Sequence, residues 1–302
     1  MLRISRNRAR SVVTALGVVA AVTAGAVVPA SADTAEPRPR AARYVALGDS
    51  FTAGPAIPRQ IDPRCGRSDA NYPSVIRRTL GIAAFTDASC GGATTDHLWQ
   101  RQRATGNAPQ LDAVGRDTGL VTLGIGGNDS VFADLFGRCV HRTGTVPRDN
   151  PCQRQYTRGG TDELDRRVNA TAPKVAAALE AVHRRAPHAR VAVVGYPAII
   201  GDDVEGCRAS LRIADGDLPY VRGTLRRLNA MLRKQATDRG DLYVNTHAAT
   251  AGHDACRPAA ERWVEGLRTL PGRPSAPLHP NAYGERAMAK AVVDALVFGP
   301  GR

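Results

Sequence analysis

The chain has 302 residues, 43% of them hydrophobic, with 41 basic against 28 acidic side chains and a formal net charge of +13. That apolar fraction is ample for one large core or two small ones. The basic excess is mostly arginine scattered among Asp and Glu, without a dense run and with few aromatics to stack on bases. It argues against nucleic acid as a partner and leaves transient contact with anionic lipid interfaces open.

Arg3, Arg6, Arg8 and Arg10 form a cationic start, Ser11 to Val28 is an Ala/Val-rich run, and Pro29-Ala30-Ser31-Ala32 supplies an A-x-A cleavage pattern. Gly17, Thr23 and Gly25 interrupt the run and no basic stop-transfer cluster follows. Residues 1–32 are therefore expected to be a signal peptide, not an anchor, and the protein to be secreted. Its removal takes four arginines and no acidic residue, leaving 37 basic against 28 acidic side chains, a net +9. Residues 33–42, with two prolines and no apolar periodicity, form a flexible lead-in. One domain is expected over 43–302.

Tyr44 to Leu47 is the first strand expected, and it ends abruptly at Gly48-Asp49-Ser50. A weaker strand lies at Ala84 to Asp87, and stronger ones at Leu120 to Ile125, Arg190 to Val194 and Leu242 to Asn245. Helical stripes run over Asp162 to Arg185, Leu218 to Arg239 and Ala282 to Val297. Uninterrupted apolar strands separated by amphipathic helices predict a mostly parallel sheet covered on both faces, a doubly wound α/β domain with α/β/α layers. Such folds bind ligands beyond the carboxyl ends of the strands, which is where Ser50 falls.

The stretches 55–75, 137–160 and 200–217 read as rim loops. Six cysteines occur, at 65, 90, 139, 152, 207 and 256, and none forms a C-x-x-C. An even number in an exported chain predicts disulfides. Proximity in sequence favours Cys65–Cys90, Cys139–Cys152 and Cys207–Cys256.

A serine nucleophile needs a base and donors for the developing oxyanion. Three further stretches carry suitable groups: Cys90-Gly91-Gly92-Ala93-Thr94-Thr95, Gly124-Ile125-Gly126-Gly127-Asn128-Asp129, and Pro277-Leu278-His279-Pro280-Asn281. Glycine at 92 lets a backbone N–H approach a ligand closely. The Asn128 amide is a donor, and His279 supplies an imidazole ahead of the last helix.

In this order, G-D-S-F at 48–51, G-A-T-T at 92–95, G-G-N-D at 126–129 and H-P-N at 279–281, the chain resembles the SGNH hydrolases, also called the GDSL esterases and lipases. The resemblance implies a three-layer α/β/α sandwich of flavodoxin-like type, with Ser50 as nucleophile and His279 as general base. It implies an oxyanion hole from the N–H groups of Ser50 and Gly92 and the Asn128 side chain. One position departs from the family pattern: Ala276 stands where Asp usually precedes the histidine by three residues. Members resembling the secreted streptomycete lipases and esterases use a main-chain carbonyl there, which implies the Ala276 C=O as the orienter of His279. Without a carboxylate, the imidazole is expected to titrate near an ordinary histidine, about 6.5. A carboxylate from elsewhere, such as Asp254, is the alternative orienter, and His97 is a candidate for the pocket wall.

The implied activity is hydrolysis of acyl glycerols, phospholipids or simple esters through an acyl-enzyme, by a monomer without metal or cofactor. A carbohydrate acetyl esterase, with Trp99 or Trp263 on a shallow groove, is the enzymatic alternative. A non-catalytic binding module on the same fold is the other.

Overall fold

A computed structural model describes residues 43–299; the expected signal peptide and lead-in lie outside them. Seven strands occur among the described residues: β1 (Tyr44–Gly48), β2 (Gln60–Asp62), β3 (Arg67–Ser68), β4 (Phe85–Asp87), β5 (Leu120–Gly124), β6 (Arg190–Val194) and β7 (Leu242–Val244). Five form the central sheet in the order β4-β1-β5-β6-β7, every neighbouring pair parallel. β2 and β3 make a separate antiparallel pair.

The strand sequences explain the sandwich. β1 and β5 are buried along their whole length, so neither face can be polar. Successive side chains point to opposite faces, and each face has its own core. Val45, Leu47, Val121, Leu123, Val191 and Val193 pack in one cluster with the helices Glu163–Arg185 and Leu218–Thr237. Tyr44, Ala46, Ala192 and Val194 pack in the other with Tyr72–Thr79 and Ala282–Phe298. Each fully buried aliphatic side chain on these faces contributes roughly 1.5–3 kcal/mol.

Several helix starts are set by side-chain caps. Asp162 accepts from the N–H groups of Leu164 and Asp165 (3.0 and 3.2 Å), and His183, Arg184 and Arg185 occupy the last turn, where cations favour the helix dipole. Asn281 caps the last helix, accepting from Tyr283 N and Gly284 N (2.9 and 3.3 Å). β7 stops at Val244 because Asn245 turns its side chain to the Ala248 N–H and caps a short helix (3.2 Å).

The rim loops hold more regular structure than expected. The stretch 55–75 contains β2, β3 and the start of the helix Tyr72–Thr79, while Pro151–Tyr156 and Cys207–Leu211 are short helices in the other two. Tyr72–Thr79 is opened by the Asn71 side chain accepting from Ser74 N (3.0 Å), with Pro73 in its first turn. At two turns, its apolar stripe is too short to stand out in a Gly-, Pro- and Asp-rich setting. The disulfides Cys65–Cys90, Cys139–Cys152 and Cys207–Cys256 close these loops, spanning 25, 13 and 49 residues. In the chain-entropy account, loops of such length each stabilise by roughly 3–4 kcal/mol.

Candidate active site

β1 and β5 run side by side to Gly48 and Gly124, and both end at the same edge of the sheet. The next residue, Asp49, accepts from Phe51 N (2.9 Å) and starts the helical turn Ser50–Ala53. Ser50 is thus presented just beyond the strand tip. His279 meets it from the loop before the last helix: Nε2 lies 2.7 Å from Ser50 Oγ.

The other imidazole nitrogen fixes the tautomer. His279 Nδ1 is 2.8 Å from the Pro277 carbonyl oxygen, which can only accept. Nδ1 therefore carries the proton, and bare Nε2 accepts from the Ser50 hydroxyl. The expected orienter, Ala276, is corrected to Pro277. The Ala276 carbonyl is occupied by the turn itself, accepting from His279 N (3.2 Å) and Ser275 Oγ (3.0 Å). Leu278, at φ +66°, curls the loop between them. Asp254 does not substitute; its carboxylate accepts from Cys256 N (2.9 Å), and no carboxylate among the described residues hydrogen-bonds His279.

The imidazole is partly buried, stacked on Phe51 with ring centres 4.5 Å apart. Burial pushes its pKa below the ordinary histidine value, and the Pro277 hydrogen bond offsets this only in part. The expectation of ordinary titration missed this desolvation, because spacing along the chain does not reveal the Phe51 stack.

Asn128 sits on the short helix Gly127–Ser130 beyond β5 and lines the same cleft as Ser50 and His279. One N–H of its amide donates to the Ala93 carbonyl (2.9 Å), which orients the group and leaves the other N–H for a ligand. Gly92 adopts φ +72°, which suits glycine. Its N–H, like that of Ser50, has no acceptor among the described residues. Gly92 is not itself among the residues lining the cleft. Asp129 points elsewhere, accepting from Thr95 N (2.9 Å) and the Thr95 hydroxyl. It ties the Gly126–Asp129 stretch to the Gly92–Thr95 stretch. His97 is structural: its Nδ1 accepts from Thr94 N (2.9 Å) in a capping box.

Sequence reasoning missed the layer beneath. Asp49 is fully buried, and Tyr196 OH donates to its Oδ2 (2.6 Å) while accepting from Gly127 N (2.8 Å). Burial raises the Asp49 pKa to about 7, against the pull of the Tyr196 and Phe51 donors. Gln110 meanwhile bonds both Gly48 N and Gly48 O (2.8 and 2.9 Å). No local motif marks Tyr196 or Gln110. Their partners lie far away in sequence.

The cleft has a volume of about 460 Å³, with Phe51, Phe132, Phe136, Leu267 and Leu278 as its apolar wall. A larger cavity of about 800 Å³ adjoins it, sharing Arg212, Leu267 and Arg268, but contains neither Ser50 nor His279. The Ser50–His279 pair therefore faces the smaller one. This cleft offers a hydroxyl hydrogen-bonded to an imidazole, the free amide N–H of Asn128 and an apolar wall, groups suited to acyl transfer.

Residues 46–287 match the GDSL-like lipase/acylhydrolase family. The chain is 43% identical over 260 residues to Lipase 2 of Streptomyces coelicolor, covering 84% of this chain and 85% of that one. It is 29% identical over 314 residues to an esterase of Streptomyces scabiei, with 90% of each covered. Among solved structures, phospholipase A1 from Streptomyces albidoflavus NA297 superposes with a TM-score of 0.64 at 26% identity, covering 84% of this chain and 99% of that one. With the family match running from β1 to beyond His279, this chain belongs to the GDSL-like lipases and acylhydrolases and is a carboxylic ester hydrolase.

Proposed function

We propose that Ser50 and His279 act as nucleophile and general base of a secreted lipase or esterase, with acyl glycerols as the favoured substrates. The observation that carries this reading is the 2.7 Å contact of Ser50 Oγ with an imidazole nitrogen whose partner nitrogen is engaged by a carbonyl. Ser50 Oγ attacks the ester carbonyl as His279 Nε2 takes its proton. The carbonyl oxygen becomes an oxyanion, met by the N–H groups of Ser50 and Gly92 and the free amide N–H of Asn128. Collapse expels the alcohol, which takes the proton from His279. Water, deprotonated by the same imidazole, then attacks the acyl-enzyme and releases the acid and the serine.

The aromatic and aliphatic wall of the cleft supports an acyl chain over a sugar ring as the occupant. Neither Trp99 nor Trp263 lines it, and Trp263 is stacked on His253 at 3.5 Å. A carbohydrate esterase is thus the weaker reading. The test is a chain-length series of p-nitrophenyl esters with tributyrin and an acetylated xylan alongside. Ser50→Ala should abolish turnover in a folded protein, and a fluorophosphonate should label Ser50. Labelling at another residue, or preferential release of acetate from the xylan, would reject the assignment.

A further inference from the structure

Three arginines, Arg142, Arg212 and Arg268, line the cleft that holds Ser50 and His279, and no Asp or Glu lines it. Arg212 donates to the carbonyls of His141 and Gly144 (2.5 and 2.6 Å), which fixes the guanidinium without neutralising its charge. Arg142 and Arg268 are exposed and have neither a carboxylate nor a side-chain hydrogen-bond partner among the described residues. Of the nearby arginines outside the cleft, Arg208 pairs with Asp215 (3.0 Å) and Arg257 with Asp203 (2.7 Å), while Arg262 donates to the Arg257 carbonyl (2.7 Å). The adjoining larger cavity is mixed in sign, since Asp203 and Glu205 line it together with Arg257, Arg262 and the shared Arg212 and Arg268. The Ser50 cleft itself therefore carries three positive charges and no negative one, whereas the larger cavity holds two carboxylates. Guanidinium is planar, weakly hydrated and able to bind phosphate oxygens in pairs.

We infer that the cleft selects esters whose alcohol part carries a negative charge, an anionic phosphate-bearing acyl glycerol being the class it fits. Arg142 and Arg268 are the specificity-determining residues, and Arg212 is a third, fixed charge. The inference rests on the ester-hydrolase reading of Ser50 and His279. It adds no chemical step: the alcohol expelled from the tetrahedral intermediate is the part that bears the anion.

The test compares dihexanoyl phosphatidylglycerol with dihexanoyl phosphatidylcholine, both below their critical micelle concentrations. Acyl chains and bridging phosphate are the same, and net charge differs. An exposed charge pair is worth up to a few-fold, and two arginines act on one anion, so kcat/KM should favour the anionic lipid by about fivefold to tenfold. The preference should shrink with added salt. It should fall close to unity in Arg142→Gln/Arg268→Gln, and below unity in Arg142→Glu/Arg268→Glu. Equal rates on the two lipids, or no cleavage of either by a protein that hydrolyses p-nitrophenyl esters, would overturn the inference and leave the ester-hydrolase reading standing. A preference seen only on vesicles and kept by the double Gln variant would also overturn it, placing selection in the overall basic surface. Failure to hydrolyse any ester would instead reject the reading of Ser50 and His279.

Discussion

The Tyr196 hydroxyl donates to Asp49 Oδ2 at 2.6 Å, joining the residue before the candidate nucleophile to the loop beyond β6. Through the Gly127 N–H, which donates to the same hydroxyl at 2.8 Å, it also reaches the stretch that carries Asn128. Ser50 and Asn128 are thereby held to one buried oxygen. Tyr196→Phe leaves Asp49 Oδ2 without its donor and the Gly127 N–H without its acceptor. A buried polar group left unpaired costs about 1–3 kcal/mol, so urea unfolding should show a loss of that size, with kcat reduced several-fold. A variant as stable and as active as the parent would reject this link.

The raised Asp49 pKa has a sign that can be checked. Its folded value, about 7, lies above the ordinary carboxylate value of 3.8. Between these values the folded state holds a proton that the unfolded state has released. Stability from this group is therefore complete below the unfolded value and falls as pH rises toward 7. Asp49→Asn, which cannot ionise, should flatten that decline in urea midpoints measured between pH 4 and 8. An unchanged slope would mean that Asp49 does not govern it.

His279 must be neutral to accept the Ser50 proton, and its pKa is held below the ordinary 6.5 by burial. Activity should therefore persist to lower pH than an unperturbed histidine would allow. The acid limb of kcat/KM should have its midpoint below 6.5. A midpoint above that value would point to a carboxylate partner that the Pro277 contact does not provide.

Much of this was legible in the sequence, and the limits are physical. β6 runs over the residues expected, Arg190–Val194, because an apolar strand buried on both faces leaves an unbroken run. The Ser50–His279 meeting was legible because both residues stand in strong local motifs at element ends. The switch from Ala276 to Pro277 was not, since it depends on which carbonyl the turn closing at His279 leaves free. Tyr196 was equally hidden, because its role rests on partners 147 and 69 residues away.

Asn128→Ala tests the proposed oxyanion site directly. Its free amide N–H can strengthen its bond as negative charge develops, so the loss should fall mainly on kcat. Removal of one such donor typically lowers the rate by about 10²–10³-fold. The variant also loses the bond to Ala93, so circular dichroism and a melting curve must accompany the kinetics. A folded variant with unchanged kcat would take Asn128 out of the mechanism.

Gly48 is the position where the strand tip tolerates least change. A Cβ there would lie 2.1 Å from Thr52 Oγ1 and 2.7 Å from the Gly124 carbonyl oxygen. The first clash is with a buried side chain whose hydroxyl contacts Tyr72 OH at 3.2 Å, so rotating it away would break a buried hydrogen bond. The second is with the backbone of β5, directly beside Gly48 in the sheet, and cannot be relieved by a rotamer. Gly48→Ala should therefore destabilise by about 2–4 kcal/mol. At a few degrees per kcal/mol for a domain of this size, Tm should fall by roughly 5–15 °C. Gly48→Ala/Thr52→Ala removes the side-chain clash and keeps the backbone one, so it should recover only part of the loss. Ser50 hangs from the displaced tip, so the single variant should also lose kcat at temperatures where it remains folded. Full recovery of Tm in the double variant would show that only Thr52 crowds the site and that β5 yields.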